Sequence, residues 1–262
     1  MLGYSALWVP ETTGRDSFVH LGYLGACTQR LSLATGIANI SNRHPGATRQ
    51  AALTLAEQTS GRFILGLGGS HPRIVEQVRG RDYSRPLARL RDYLDEMAES
   101  PHTAATSAAE PPLVLAALGP RMLELAASRA AGAHTYFGTT QHTVGARDKL
   151  QDEQWLCVEQ KVVLAEQPEQ ARAVAARAVS WYASLDNYRR HFARLGFTDS
   201  EINRPDERLI EATVAWGDAD TIRRRIQEHV DAGATHVCIQ PLDPEGGPQP
   251  HLPTLEALAP LA

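Results

Sequence analysis

Leu31-Ser32-Leu33-Ala34-Thr35-Gly36-Ile37-Ala38-Asn39-Ile40, then Pro45–Ser60, then Phe63-Ile64-Leu65-Gly66-Leu67-Gly68 is the stretch on which the fold turns. Its outer runs are leucine-rich or β-branched without polar alternation, the pattern of parallel strands covered on both faces. Between them, apolar residues recur at helical spacing behind a proline suited to a first helical position. Strand, helix, strand is a βαβ unit, and the rhythm continues in both directions. Further strand-like runs are Ala6–Pro10, Leu113–Leu118, His134–Phe137, Gln160–Ala165 and Thr235–Gln240. Further helical segments are Asp16–Gln29, Pro86–Ala98, Pro120–Ala131, Pro168–Leu185 and Asp218–Ala232, with Asp218 placed as an N-cap and Gly132 and Gly233 as C′ caps.

An α/β chain of 262 residues with this repeat predicts a TIM (β/α)8-type barrel, a fold of roughly 250 residues, as one domain over 1–262. Seven strands are readable where such a barrel has eight, and Leu2-Gly3 stands directly before the first strand like the end of a helix and its cap. The expectation is therefore a barrel lacking its first βα unit. A start set too late, a truncation closed by a partner chain, or an uncounted strand would each account for that. Two segments break the rhythm. Residues 99–112 have no large apolar side chain and predict a mobile loop, and residues 186–216 predict a helical insertion, over the barrel mouth or packed outside it.

Twenty-six basic against 30 acidic residues give a net charge of −4, so no positive field gathers a polyanion, and nucleic acid is not expected. No apolar run approaches the roughly 18 residues of a membrane span, and the start has no secretory pattern, which predicts a cytoplasmic protein with no membrane partner. The three cysteines, Cys27, Cys157 and Cys238, form no CxxC pair and fit a reducing compartment. The ten histidines show no metal-ligand spacing, and HExxH, GxxxxGK[ST] and GxSxG are absent from the sequence. With neither nucleophile nor metal site legible, demanding chemistry falls to an organic cofactor and a small-molecule substrate.

In a parallel barrel the active site gathers at the C-terminal strand ends. There, Glu11 is a candidate proton-transfer group or simply a solvated loop carboxylate. Thr35, Gly36, Ile37 and Asn39 lie where a glycine interrupts a strand and admits a bulge or a flat ligand, and Arg43 and His44 reach the mouth as candidate substrate contacts. In Gly66-Leu67-Gly68-Gly69-Ser70-His71, the histidine at 71 breaks a dinucleotide fingerprint and is itself a candidate donor. Leu118, Gly119 and Arg121 open a helix whose free amides suit a phosphate, or form an ordinary strand-to-helix turn, and Gly138 with Thr139 offers a second anion contact.

Ala6-Leu7-Trp8-Val9-Pro10-Glu11, Leu33–Ile40 with Arg43-His44-Pro45, and Gly61–Gly68 with Ser70-His71 resemble the bacterial luciferase-like monooxygenase superfamily. Leu115–Leu123, Asp186-Asn187-Tyr188, Leu195-Gly196-Phe197 and Ala232–Cys238 resemble its coenzyme F420-dependent branch, and the likeness spans nearly the whole chain. The resemblance implies a deazaflavin ring against a bulged strand with a non-prolyl cis peptide at Gly36-Ile37, and a cofactor phosphate at Leu118-Gly119-Pro120 and near Gly138-Thr139. It implies hydride transfer between coenzyme F420 and a small organic substrate, assisted by Glu11 or His71. The alternatives are an FMN-dependent monooxygenase or a cofactor-binding relic without turnover. Some relatives carry an Asp-His pair where this chain has Glu11-Thr12, so no catalytic histidine is carried there. A homo-oligomer is expected, because an open barrel flank needs cover.

Overall fold

The computed structural model describes residues 2–104, 109–165 and 167–260. By internal contacts these form two compact units. The first, residues 4–117 and 121–134, holds β1 (Ala6–Val9), β2 (Ser32–Thr35), β3 (Ala38–Asn39), β4 (Phe63–Gly68), β5 (Leu113–Ala116) and most of β6 (Gly132–Thr135). Every pairing is parallel, in the order β1-β2-β4-β5-β6, with β3 on the upper end of β4. The run read as one strand over Leu31–Ile40 is thus two, split at the cis peptide Gly36–Ile37. Helices α1 (Ser17–Ala26), α2 (Pro45–Gln58), α3 (Pro86–Glu99) and α4 (Pro120–Arg129) alternate with the strands, and Arg73–Val78 forms a π-helical turn. Three of these helices begin on proline, whose fixed φ and missing N–H cost nothing in a first turn. Leu33, Ala34, Phe63, Val114 and Leu115 are fully buried, as two-sided strands require.

The second unit, residues 2–3, 118–120 and 135–260, is built on the long strand β7 (Trp155–Leu164). Lys161 and Val162 pair with Val214 and Ala215 of β8 (Val214–Gly217) on one edge and with Gln240 and Pro241 of β9 (His236–Pro241) on the other. Helices α5 (Thr140–Arg147), α6 (Pro168–Ala183), α7 (Asp186–Arg194), α8 (Asp199–Asn203), α9 (Glu207–Thr213), α10 (Ala219–Asp231) and α11 (Leu252–Ala257) complete it. Phe192, Ile202 and Leu209, from α7, α8 and α9, pack in one core with Val174 and Val179 of α6, which holds the insertion together.

All seven readable strand runs contain strands, and the insertion expected over residues 186–216 is helical until β8 closes it. Asp218 caps α10 through the Thr221 amide, and Gly233 follows that helix at φ +98. Gly132 is the exception: it is not left-handed and begins β6, because the helix before it already ends at Arg129. Of the loop expected over 99–112, residues 105–108 lie outside the described residues.

Candidate active site

In the first unit, Asp16 caps α1 and Glu11 lies just beyond β1, its residue 6% exposed. The Glu11 carboxylate accepts from the Asn39 amide at 2.9 Å, from Arg43 Nη1 at 2.9 Å and Nη2 at 2.6 Å, and from the Ser17 hydroxyl at 3.4 Å. Four donors fill the acceptor positions of a carboxylate, so its geometry is that of a clamp joining β1, α1 and β3. Arg43 also reaches Asp16 and lies over the Phe18 ring at 4.7 Å. Its charge is further stabilised by these carboxylates against partial burial, and Asp16 is held below the usual carboxylate range by helix-cap and Arg43 contacts despite its own desolvation. His44 is the N-cap of α2, taking the Gly46 amide on Nδ1 and pairing with Glu96 through Nε2, on an exposed surface. The two expected substrate contacts are therefore committed within the unit.

The glycines around the split strand have an internal reason. A Cβ on Gly36 would come to 2.9 Å from Trp8 Cβ, and one on Gly66 to 2.0 Å from the Thr35 carbonyl oxygen. Thr35 closes that approach by donating from Oγ1 to Gly66 O at 2.7 Å while accepting from Gly66 N at 2.8 Å. Close backbone packing, with no ligand invoked, accounts for both residues. Trp8 stacks on the buried His134 ring at 4.8 Å. His71 follows Ser70, whose φ is +58, and half-burial with Arg73 nearby pulls its pKa below the ordinary histidine value. Arg121 is exposed in the first turn of α4.

In the second unit, Gly119 immediately precedes α4, and a Cβ there would sit 3.4 Å from the Arg194 guanidinium of α7. Arg194 is exposed, and partial desolvation together with neighbouring Arg190 lowers its pKa. His142 Nε2 lies 3.2 Å from Leu118 O and His191 Nε2 3.2 Å from Phe137 O. Since carbonyls only accept, both rings carry the proton on Nε2, leaving each Nδ1 a bare acceptor that is buried and unpartnered. The rings stand edge to face at 4.7 Å, and burial drives His191 down to about 3, so it is neutral. Gly138 leaves room for His142, and Thr139 caps α5 through the His142 amide. One exposed guanidinium and two buried imidazole nitrogens without a partner, beside the Leu118-Gly119 turn, suit a ligand bearing both an anion and hydroxyl donors. A phosphorylated polyol, the tail common to flavin and deazaflavin cofactors, fits that description.

Sequence reasoning missed a third group in this unit. Gln160 faces His229 of α10, and His229 in turn faces Thr143 of α5. By strand alternation Glu159 and Lys161 lie on the opposite face of β7. Lys161 Nζ, whose side chain is 2% exposed, donates to Glu159 Oε1 at 3.0 Å and to Gln240 Oε1 at 2.9 Å. It sits 4.0, 4.3 and 4.7 Å from the ring centroids of Tyr136, Phe137 and Tyr182. Burial lowers its pKa to about 8, against the opposing pull of Glu159. Tyr136 donates to Gln240 Oε1 at 2.7 Å and shares a 2.8 Å hydrogen bond with Tyr182. The available signal was Glu159-Gln160-Lys161, three polar residues in a row inside an otherwise apolar strand.

Among the described residues, no cluster of three or more His, Cys, Asp or Glu could hold a metal, and no helix is long and apolar enough to cross a membrane. The chain is similar to Rv3520c of Mycobacterium tuberculosis, named as a coenzyme F420-dependent oxidoreductase, at 28% identity over 90% of this chain and 86% of that protein. The solved coenzyme F420-dependent tetrahydromethanopterin reductase of Methanopyrus kandleri superposes with a TM-score of 0.75 at 20% identity, covering 98% of this chain and 90% of that one. The oxygenating component of 3,6-diketocamphane monooxygenase from Pseudomonas putida, solved with FMN, gives 0.71 at 13% identity, covering 98% and 87%. At such identities the two structures show the fold alone, and it is the barrel-type α/β fold that the sequence predicts. The sequence model for luciferase-like monooxygenases matches residues 1–236, and the chain belongs to that family.

Proposed function

We propose that this luciferase-like protein is an oxidoreductase that uses coenzyme F420 to move a hydride to or from a small organic substrate. The carrying observation is the Leu118-Gly119 turn, where Arg194 offers an exposed cation and His142 and His191 two buried acceptors without a partner. Leu118, Gly119, Gly138, Thr139 and Arg194 would hold the phosphate and polyol of the cofactor tail. Likeness to Rv3520c over nine-tenths of the chain supports the deazaflavin over FMN. Bound, the ring supplies hydride transfer, and the protein contributes orientation and proton management. In this reading His71 is the acid–base group, while Glu11 positions Asn39 and Arg43.

The test is a titration of the purified chain with coenzyme F420 and with FMN, followed by cofactor fluorescence. Selective binding of F420, weakened about tenfold or more by Arg194→Ala through loss of a charge-assisted contact, is expected. FMN binding with F420 excluded would move the assignment to a flavin monooxygenase. Binding that ignores Arg194→Ala would remove the tail site, and binding of neither cofactor would end the proposal.

A further inference from the structure

The hydrogen bonds around Lys161 run in one direction only. Gln240 is placed with Oε1 toward the Lys161 ammonium, because an ammonium has three donors and no acceptor and the amide nitrogen would face it donor to donor. That oxygen also receives the Tyr136 hydroxyl proton. A hydroxyl has one proton, so in the 2.8 Å bond between the tyrosines Tyr182 is the donor and Tyr136 the acceptor. The order is Tyr182 to Tyr136 to Gln240, and the half-buried Tyr182 is left with lone pairs and no proton to give. A neutral Lys161 amine would remove the constraint. Gln240 could then turn its NH2 toward both Nζ and the Tyr136 oxygen, Tyr136 would donate to Tyr182, and Tyr182 would become a donor.

We propose that Lys161 is a positioning residue which, through Gln240, sets whether the Tyr136–Tyr182 pair accepts from or donates to a ligand oxygen, and that in its charged state it selects a hydroxyl over a carbonyl. The setting supports this. Tyr136 directly follows β6, Gln240 is the penultimate residue of β9, and Lys161 lies in the C-terminal half of β7, so the group lies toward the strand ends where parallel α/β sheets place ligands. The groups facing the ammonium are Glu159 on β7, Gln240 on β9, Tyr136 and Phe137 after β6, and Tyr182 on α6, with Tyr188 of α7 beside the tyrosines and Cys157 and Cys238 near Glu159. Burial holds both tyrosines far above the ordinary phenol range, so they remain hydroxyls throughout. The switchable proton is on Lys161, brought down to about 8. The inference rests on the oxidoreductase reading only for the identity of the ligand as substrate.

The experiment compares binding of cyclohexanol and cyclohexanone to the cofactor-free chain by protein-observed NMR across a pH series. Cofactor binding is followed separately, so failure here is distinguishable from failure of the cofactor assignment. At pH 6 the alcohol should bind about tenfold tighter, the worth of one matched hydrogen bond against an unmatched one. The preference should fade as pH rises through about 8, because a donating Tyr182 serves the alcohol and the ketone oxygen alike. Tyr182→Phe, which keeps the ring, should abolish both the preference and its pH dependence. The double variant Glu159→Gln/Lys161→Met, which removes both buried charges together, should leave a preference that no longer varies with pH. Equal binding of the two probes or a ketone preference at pH 6, no measurable binding of either, or a pH profile retained in Tyr182→Phe would overturn the proposal.

Discussion

Replacing Glu11 with alanine separates a structural clamp from a catalytic carboxylate. The substitution leaves the Asn39 amide, on a residue 1% exposed, without its acceptor, and strips the Arg43 guanidinium, 17% exposed, of its bidentate partner. An orphaned buried amide costs about 1–3 kcal/mol, and breaking a buried pair on one side costs about 3–5 kcal/mol. The two overlap, and Arg43 retains Asp16 and some access to water, so the net expectation is about 3 kcal/mol. For a chain of this size that lowers the melting temperature by about 6–9 °C. Urea unfolding at pH 7 measures the free energy directly. Glu11→Ala/Arg43→Met, which leaves no unpaired charge, should recover about half the loss. A Glu11→Ala protein that unfolds like the parent while losing turnover would refute the clamp and restore an acid–base role.

Other expectations follow from the same geometry. His191 and His229 are buried and neutral with folded pKa values near 3 and 4, so the unfolded chain takes up their protons first, below an ordinary value of 6.5. Stability is therefore fully present above that pH and falls as pH drops toward 4, by about 1.4 kcal/mol per unit for each ring. Urea midpoints at pH 7, 6 and 5 should decline, and His229→Gln should reduce the slope by one proton; a flat profile would count against both assignments. Gly145, inside α5 with nothing near its Cβ position, should accept alanine with a gain of about 0.5–1 kcal/mol in thermal unfolding. Gly66→Ala drives a Cβ into the Thr35 carbonyl and should yield no folded soluble protein, whereas a well-folded variant would mean that β2 and β4 can part locally.

The strands were legible because each is covered on both faces and so reads as an unbroken apolar run, and the helices because proline and capping residues mark where they start. β8 was not: α9 ends at Thr213 and Val214 begins the strand at once, with no glycine or proline to mark the change. The short, polar α5 carried no hydrophobic period of useful length. At the candidate site, Gly119 and Gly138 could be named from turn chemistry, but Arg194 and the two histidines could not, because they reach Leu118 and Phe137 from 24 and 54 residues away or more. The Glu11–Arg43 clamp and the Lys161–Gln240 contact span 32 and 79 residues. A single sequence states which residues are charged but not which distant partner neutralises them, and that partner decides between a reactive group and a fixed one.

The pairing of Leu164 with Gly217 and of Lys161 with Val214 sets the footing of the helices between them. The polypeptide leaves the sheet at the end of β7 and re-enters three residues lower on the adjoining strand, so the two junctions lie roughly 11 Å apart by strand spacing and rise. Everything from α6 to α9 hangs from that narrow base with much of its apolar packing internal to itself. Such a segment behaves as a cassette: it can lengthen, shorten or be exchanged by recombination while the register of β7, β8 and β9 stays as it is.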